Sequence, residues 1–326
     1  MKRLISLVLS CVFGVGVLTG CSGKDNSSEE NYKVAIAQFA PHSSLDNCVE
    51  GFKQGMAKAG FVEGENVKYD EENAQADINY ANQIAQSMVA SDYDLLCGVA
   101  TPMAQAMFNA SNGKIPVIYT AVTDPIKSEL AKEDGFGVGN VTGTSDKLAI
   151  EAQLEMIRKF MPNAKKIGIL YTTSEVNSIS AIEEYKKLSP KYGFEIVEGG
   201  ISQVGDISLA ATDLVGKVDC LSNLTDNTVV TGLATILDAA KKANVPVFGS
   251  EIEQVKNGCV ATEGLDYVAL GEQTGQMAAR VLKGEDINSI PFETISEYKL
   301  YINSEALASF GLTCPEDLKQ SAIEAE

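Results

Sequence analysis

The sequence predicts an α/β protein of two Rossmann-like lobes with parallel sheets joined by a multi-strand hinge. Three observations carry this. Short, continuously apolar runs such as "KVAIAQF", "DLLCGVA" and "KKIGILY" alternate with helical patterns, as in parallel sheets covered on both faces. The pattern then restarts. "DLLCGVATP…KIPVIYTA" and "DCLSNLTD…NVPVFGS" share an aspartate opening a strand, a threonine at its end, a long helix, and aliphatic-Pro-Val beginning the next strand.

The first lobe opens with the strand "KVAIAQF" and a helix from Leu45 to Gly60. "NVKYDEE" follows, with a helix from Asp77 to Ala90. "DLLCGVA" leads into a helix introduced by Thr101-Pro102, a cap residue followed by proline at the first helical position. "IPVIYTA" closes this set. In the second lobe "KKIGILY" precedes a helix from Asn177 to Tyr192, and "FEIVEGG" precedes one from Asp206 to Gly216. "KVDCLSN" runs into one long helix over "TDNTVVTGLATILDAAKKA", and "VPVFGS" follows. The helix from Tyr267 to Lys283 should return to the first lobe, and "ISEYKLYIN" should cross once more. The expected first lobe is residues 32–145 plus 263–292, and the second is 146–262 plus 293–326. Multiple crossings make a hinge, and the cleft between lobes is the natural ligand site.

Ahead of these lobes, Lys2 and Arg3 precede an uncharged run from Leu4 to Gly20. A basic start, an apolar middle and a small residue before a cut site is the form of a secretory signal. Leu18-Thr19-Gly20-Cys21 resembles the bacterial lipobox, in which cleavage precedes a cysteine that is then acylated with fatty acids such as palmitate. Residues 1–20 are therefore expected as a lipoprotein signal peptide, Cys21 as the lipidated residue, and 21–31 as a flexible polar tether. The mature protein would be membrane-anchored on the extracytoplasmic face.

Composition narrows the partners. The formal net charge is −18, which argues against nucleic acid and against lying flat on anionic lipid. Beyond Cys21, Cys48, Cys97, Cys220, Cys259 and Cys314 form neither a disulfide framework nor a zinc spacing. His42 is the sole histidine, no G-x-S-x-G elbow supplies a nucleophile, and no Walker A loop occurs. No enzyme, metal or cofactor is expected.

Ligands of parallel α/β sheets lie beyond the carboxyl ends of the strands, near helix N-termini. That rule selects Gln38, Phe39 and His42 after the first strand, Thr101 and Pro102 after the third, and Thr123 and Asp124 after the fourth. The second lobe contributes Tyr171, Asn177, Ser178, Asp226, Asn227 and Glu251. Thr, Asp and Asn at such places also cap helices with no ligand involved. Phe39, Tyr119 and Tyr171 are candidates for an apolar wall. Arg158 and Arg280 are the only arginines after the leader, both in predicted helices, so no guanidinium fork awaits a phosphate or dicarboxylate. Hydroxyls and helix starts suit one carboxylate, and Asp226, with Asp124 or Glu251 as alternates, suits an ammonium. Together these favour a zwitterion.

"ATPMAQAM", "AVTDP", "GNVTGTSD", "KVDCLSNLTDNTVV" and "GLDYVALGEQTGQMAARVL" resemble the ABC-transporter substrate-binding family that includes tryptophan- and aromatic-amino-acid-binding lipoproteins. The likeness runs from Lys33 to about Ala322. It implies a type I periplasmic-binding fold, a monomer that delivers an amino acid, aromatic in those relatives, to an ABC permease with its ATPase. After Gln38-Phe39 the family commonly has His-Pro, whereas this chain reads Pro41-His42. A sugar or nucleoside receptor, or a ligand-sensing module not coupled to transport, is the alternative. The absence of tryptophan weakens the sugar reading, since sugar faces often stack on indole.

Overall fold

A computed structural model describes residues 31–295 and 297–326. The lipobox and leader lie outside the described residues. In chain order the elements are β1 (Tyr32–Gln38), α1 (Ser43–Lys58), β2 (Val67–Asn73), α2 (Ile78–Val89), β3 (Leu95–Val99), α3 (Thr101–Ser111), β4 (Val117–Thr120) and β5 (Val141–Ser145). Then come α4 (Ile150–Phe160), β6 (Lys166–Thr172), α5 (Val176–Leu188), β7 (Glu195–Ile201), α6 (Ile207–Val215), β8 (Cys220–Ser222), α7 (Asn227–Thr231), α8 (Leu233–Ala243) and β9 (Val247–Phe248). The chain ends with α9 (Ile252–Lys256), β10 (Ala261–Gly264), α10 (Tyr267–Leu282), β11 (Glu293–Thr294), β12 (Lys299–Ile302), α11 (Ser304–Ser309) and β13 (Ile323–Glu324).

The first lobe is built on a parallel sheet in the order β11-β5-β4-β3-β1-β2. The second has the parallel order β7-β6-β8-β9. A three-stranded sheet, β10-β12-β13, adjoins β9 through Val260 N–H to Val247 O and Gly249 N–H to Ala261 O. Strand order and crossover helices make this the two-lobed α/β architecture expected. No helix among the described residues is long and apolar enough to cross a membrane.

The return of α10 to the first lobe is fixed by four glycines. A Cβ on Gly51 or Gly55 of α1 would fall 2.0–2.1 Å from the carbonyl oxygens of Val268 and Glu272. One on Gly271 or Gly275 of α10 would fall 2.1 Å from those of Cys48 and Phe52. The two G-x-x-x-G faces thus bring the backbones together, as small residues at this spacing permit.

Four expectations are corrected. The helix over 225–243 is broken at Gly232, where a Cβ would lie 2.3 Å from Ile207 Cδ1, so α6 packs into the break between α7 and α8. The helix expected to reach Tyr192 ends at Leu188 and tightens into a 3-10 turn, with Pro190 removing a backbone donor. The chain stays with the first sheet beyond 292, because Glu293 and Thr294 pair with Thr144 and Ser145. β5 itself was not expected from its Thr- and Gly-rich sequence. Cys48, Cys97, Cys220, Cys259 and Cys314 are free thiols, the first four buried.

Candidate ligand-binding cleft

The carboxyl ends of the two parallel sheets face each other across a cleft. Ala100 and Ala121, at the ends of β3 and β4, both take positive φ (74° and 55°), a conformation that costs an L-residue energy and gathers at functional sites. At Ala100 it turns the chain straight into α3. Thr101 is therefore the first helical residue rather than the cap, and its Oγ1, buried, has no hydrogen-bond partner. Pro102 is buried in the same turn.

A cavity lies between the lobes. From the first lobe it is lined by His42, Ser44, Thr101, Ala121, Asp146 and Tyr267. From the second it is lined by Asn177, Thr225, Asn227, Val230, Glu251 and Gln254. Of the residues selected from sequence, His42, Thr101, Asn177, Asn227 and Glu251 are brought together here.

The others are placed elsewhere. Gln38 donates to Ala40 O at 2.7 Å and Asp46 Oδ1 at 2.8 Å, bracing the loop that carries His42. Phe39 and Tyr119 are in the first-lobe core. Tyr171 lies over Gly200 and packs on the second-lobe core. Asp124 accepts from Lys127 N–H at 3.0 Å and, across the lobes, from Ser180 Oγ at 2.6 Å. Asp226, expected to meet an ammonium, caps α7 instead. It accepts from Thr172 N–H (2.6 Å), Thr172 Oγ1 (2.8 Å), Ser178 Oγ (2.7 Å) and Val229 N–H (2.8 Å). Its lone pairs are spent, and Ser178 is spent with it.

Two carboxylates absent from the sequence reading organise the site. Glu175 accepts from Asn177 Nδ2, from the N–H and Nδ2 of Asn227, and from the N–H and Oγ1 of Thr228, at 2.7–3.1 Å. It holds Asn177 and Asn227 toward the cleft. Burial, with Asp226 nearby, pushes its pKa up to about 7. Asp146, just after β5, accepts from Thr123 Oγ1 at 2.9 Å and Tyr267 Oη at 2.7 Å. Burial raises its pKa, against the pull of those bonds. The nearest signals are the helix-cap pattern "TSEVNS" around Glu175 and the stretch "GNVTGTSD", which ends at Asp146 but does not single it out.

The electrostatics are one-sided. Burial pushes Glu251, which caps α9 through the N–H groups of Glu253 and Gln254, up to about 7. Burial pushes His42 down to about 4, so it is neutral at neutral pH. Among the described residues no lysine or arginine lines the cavity. His42 Nδ1 and Nε2, Ser44 Oγ, Thr101 Oγ1 and Asn177 Oδ1 are all buried without a hydrogen bond. Buried polar atoms are rarely left so, and five of them line this one cavity. His42 faces the Asn227 side chain and Ser44 faces Glu251 across the lobes, each pair within loose hydrogen-bonding reach but short of ordinary bond geometry. Among the described residues no three His, Cys, Asp or Glu side chains are grouped to hold a metal.

The lobes also touch directly. Thr123 Oγ1 is 3.1 Å from Thr225 Oγ1, Asn47 Nδ2 donates to Glu253 Oε1 at 3.3 Å, and Lys127 Nζ pairs with Glu183 at 2.5 Å. This is a closed arrangement.

Comparison with known proteins agrees with it. The chain is 38% identical over 321 residues to a tyrosine-binding protein of Clostridioides difficile, covering 95% of this chain and 93% of that one. A Streptococcus pneumonia ABC domain in complex with L-Trp superposes with a TM-score of 0.88 at 34% identity, covering 90% of this chain and 99% of that one. A ligand-free, open substrate-binding protein with adhesive properties from Clostridium difficile is equally related, at 35% identity with 90% and 100% covered, but superposes at only 0.67. The lower score against an open form is what closed lobes produce. Such relatives are solute-binding proteins rather than enzymes, and act outside the cytoplasm. The family model for ABC transporter substrate binding proteins matches residues 33–326, and the chain belongs to that family.

Proposed function

We propose that this protein is a lipid-anchored receptor that captures a free aromatic amino acid outside the cell and presents it, as a monomer, to an ABC permease driven by its ATPase. The observation that carries the ligand class is the set of unpartnered polar atoms gathered around two carboxylates with no cation. Asp146 has one hydrogen bond on each oxygen and capacity for more. Across the cavity Asn177 Oδ1 is a free acceptor. An ammonium between them neutralises a buried charge and ties one lobe to the other. The Thr101 hydroxyl and the first N–H groups of α3, favoured by the helix dipole, suit the carboxylate. Ala121 and Val230 add apolar surface, and the relatives named above bind tyrosine and tryptophan. Anchoring rests on Leu18-Thr19-Gly20-Cys21.

Calorimetry against L-tyrosine, L-tryptophan, L-phenylalanine, sugars and nucleosides tests the ligand class. Binding of one or more of the amino acids supports it; binding of only a sugar or nucleoside overturns it. For the anchor, Cys21→Ala should abolish labelling by a fatty-acid analogue in cells. Persistent labelling would remove that part of the proposal.

A further inference from the structure

A second pocket adjoins the cavity. His42, Ser44, Val230 and Glu251 also line an outer pocket that opens between the start of α1 and the α7–α9 segment, whereas Thr101, Asp146 and Asn177 do not. The groups that suit an ammonium and a carboxylate are thus at the inner end. Val230 lines both ends, and at the outer one Leu233, Ala234 and Leu237 stand beside Ser43, Thr231, Glu253 and Asn257. A ligand held by its α-amino and α-carboxyl groups sends its side chain outward, and His42 stands where the two pockets meet.

Neither ring nitrogen of His42 makes a hydrogen bond of ordinary geometry, although both are inaccessible to water, and the Asn227 side chain is a loose partner at best. Asp46 on its own helix, and Asn227 and Glu251 from the second lobe, are the polar groups that face it. With its pKa pushed down by burial the imidazole is neutral and offers one donor and one acceptor. A phenol or an indole N–H supplies a partner to that pair. A phenyl ring supplies none and leaves buried polar atoms unpaired, the situation in which a site discriminates most strongly.

We propose that His42 is the specificity-determining residue of this cleft, selecting aromatic amino acids whose ring carries an O–H or N–H over phenylalanine. This rests on the amino-acid reading given above. The experiment is calorimetry of the full chain with L-tyrosine, L-tryptophan and L-phenylalanine, repeated for His42→Leu and His42→Phe. The parent should bind tyrosine or tryptophan roughly tenfold or more tighter than phenylalanine. In both variants that ratio should collapse toward one. A role confined to packing would weaken all three ligands alike and preserve the ratio, which would overturn the proposal. So would a parent that binds all three equally, and in that case the amino-acid reading stands. A parent that binds none of them removes that reading and this one together.

Discussion

The Tyr267 hydroxyl donates to Asp146 Oδ2 at 2.7 Å, joining two places where the chain passes between the lobes. Asp146 follows β5 as the chain leaves the first sheet, and Tyr267 opens α10 as it returns. Thr123, which holds the other oxygen of Asp146, also meets Thr225 of the second lobe. The carboxylate proposed above to meet the ligand's ammonium is therefore part of the hinge, and on that reading ligand charge and lobe position meet in one side chain.

Asp146→Asn should accordingly weaken binding of aromatic amino acids by roughly thirtyfold or more, the usual consequence of removing one member of a desolvated charge pair. The asparagine oxygen still accepts from one of Thr123 and Tyr267, and the other hydroxyl can accept from its NH2, so the fold should persist. Calorimetry with L-tyrosine and L-tryptophan measures this. Unchanged affinity would place the ammonium elsewhere.

Asp226 should behave in the opposite way. Its removal leaves the Thr172 and Val229 N–H groups and the Thr172 and Ser178 hydroxyls without their acceptor, all buried. Asp226→Ala should cost about 3 kcal/mol or more of folding stability. Denaturant titration reads this directly; a loss under about 1 kcal/mol would contradict the capping role.

What sequence alone conveys here follows from how local each signal is. The strands "KVAIAQF" and "KKIGILY" are buried on both faces, so they read as apolar runs. β5 is equally buried, but its threonines are satisfied by neighbours on other elements: Thr144 Oγ1 lies 2.7 Å from Thr274 Oγ1, and Thr142 donates to Ile290 O. Its neighbours are distant in sequence, and the run looks like a loop. The same holds at the site. Strand-end position selected Thr101, Asn177 and Asn227, which line the cleft, but could not tell Asp226, saturated by local donors, from Asp146, which becomes a cleft residue only once β5 is in the sheet.

Stability should fall as pH rises from about 6 to about 7 and level off by about 8. Glu175 and Glu251 have folded pKa values raised to about 7 by burial, and Asp146 is raised in the same direction. The folded state thus keeps protons that the unfolded chain has already released. The stability these groups contribute is fully present below the ordinary carboxylate range and lost as pH climbs through 7. His42, lowered to about 4, has the opposite sign: its contribution grows until its ordinary value near 6.5 is passed, so it offsets only part of the fall at the low end of the window. The melting temperature should therefore drop by several degrees across this window, and Glu175→Gln should flatten the slope. A melting temperature that is level or rises from pH 6 to 8 would contradict the burial of these carboxylates.

Direct lobe-to-lobe bonds should hold a fraction of the protein closed before ligand arrives. The Ser180 hydroxyl on α5 donates to Asp124 Oδ2 at 2.6 Å, a hydrogen bond to an ionised acceptor, and Ser180 is buried. Such bonds contribute about 1.5–3 kcal/mol. The nearby Lys127–Glu183 pair is exposed at both ends, and pairs of that kind contribute little. Ser180→Ala should shift the ligand-free population toward open, raising the radius of gyration in small-angle scattering, while saturating ligand restores the compact profile. Because the closed state is what binds tightly, apparent affinity should fall roughly three- to tenfold, mainly through faster release. Lys127→Ala, on the same face, should leave both readouts nearly unchanged. If Ser180→Ala scatters as the parent does without ligand, Asp124 and Ser180 meet only as a consequence of closure and do not drive it.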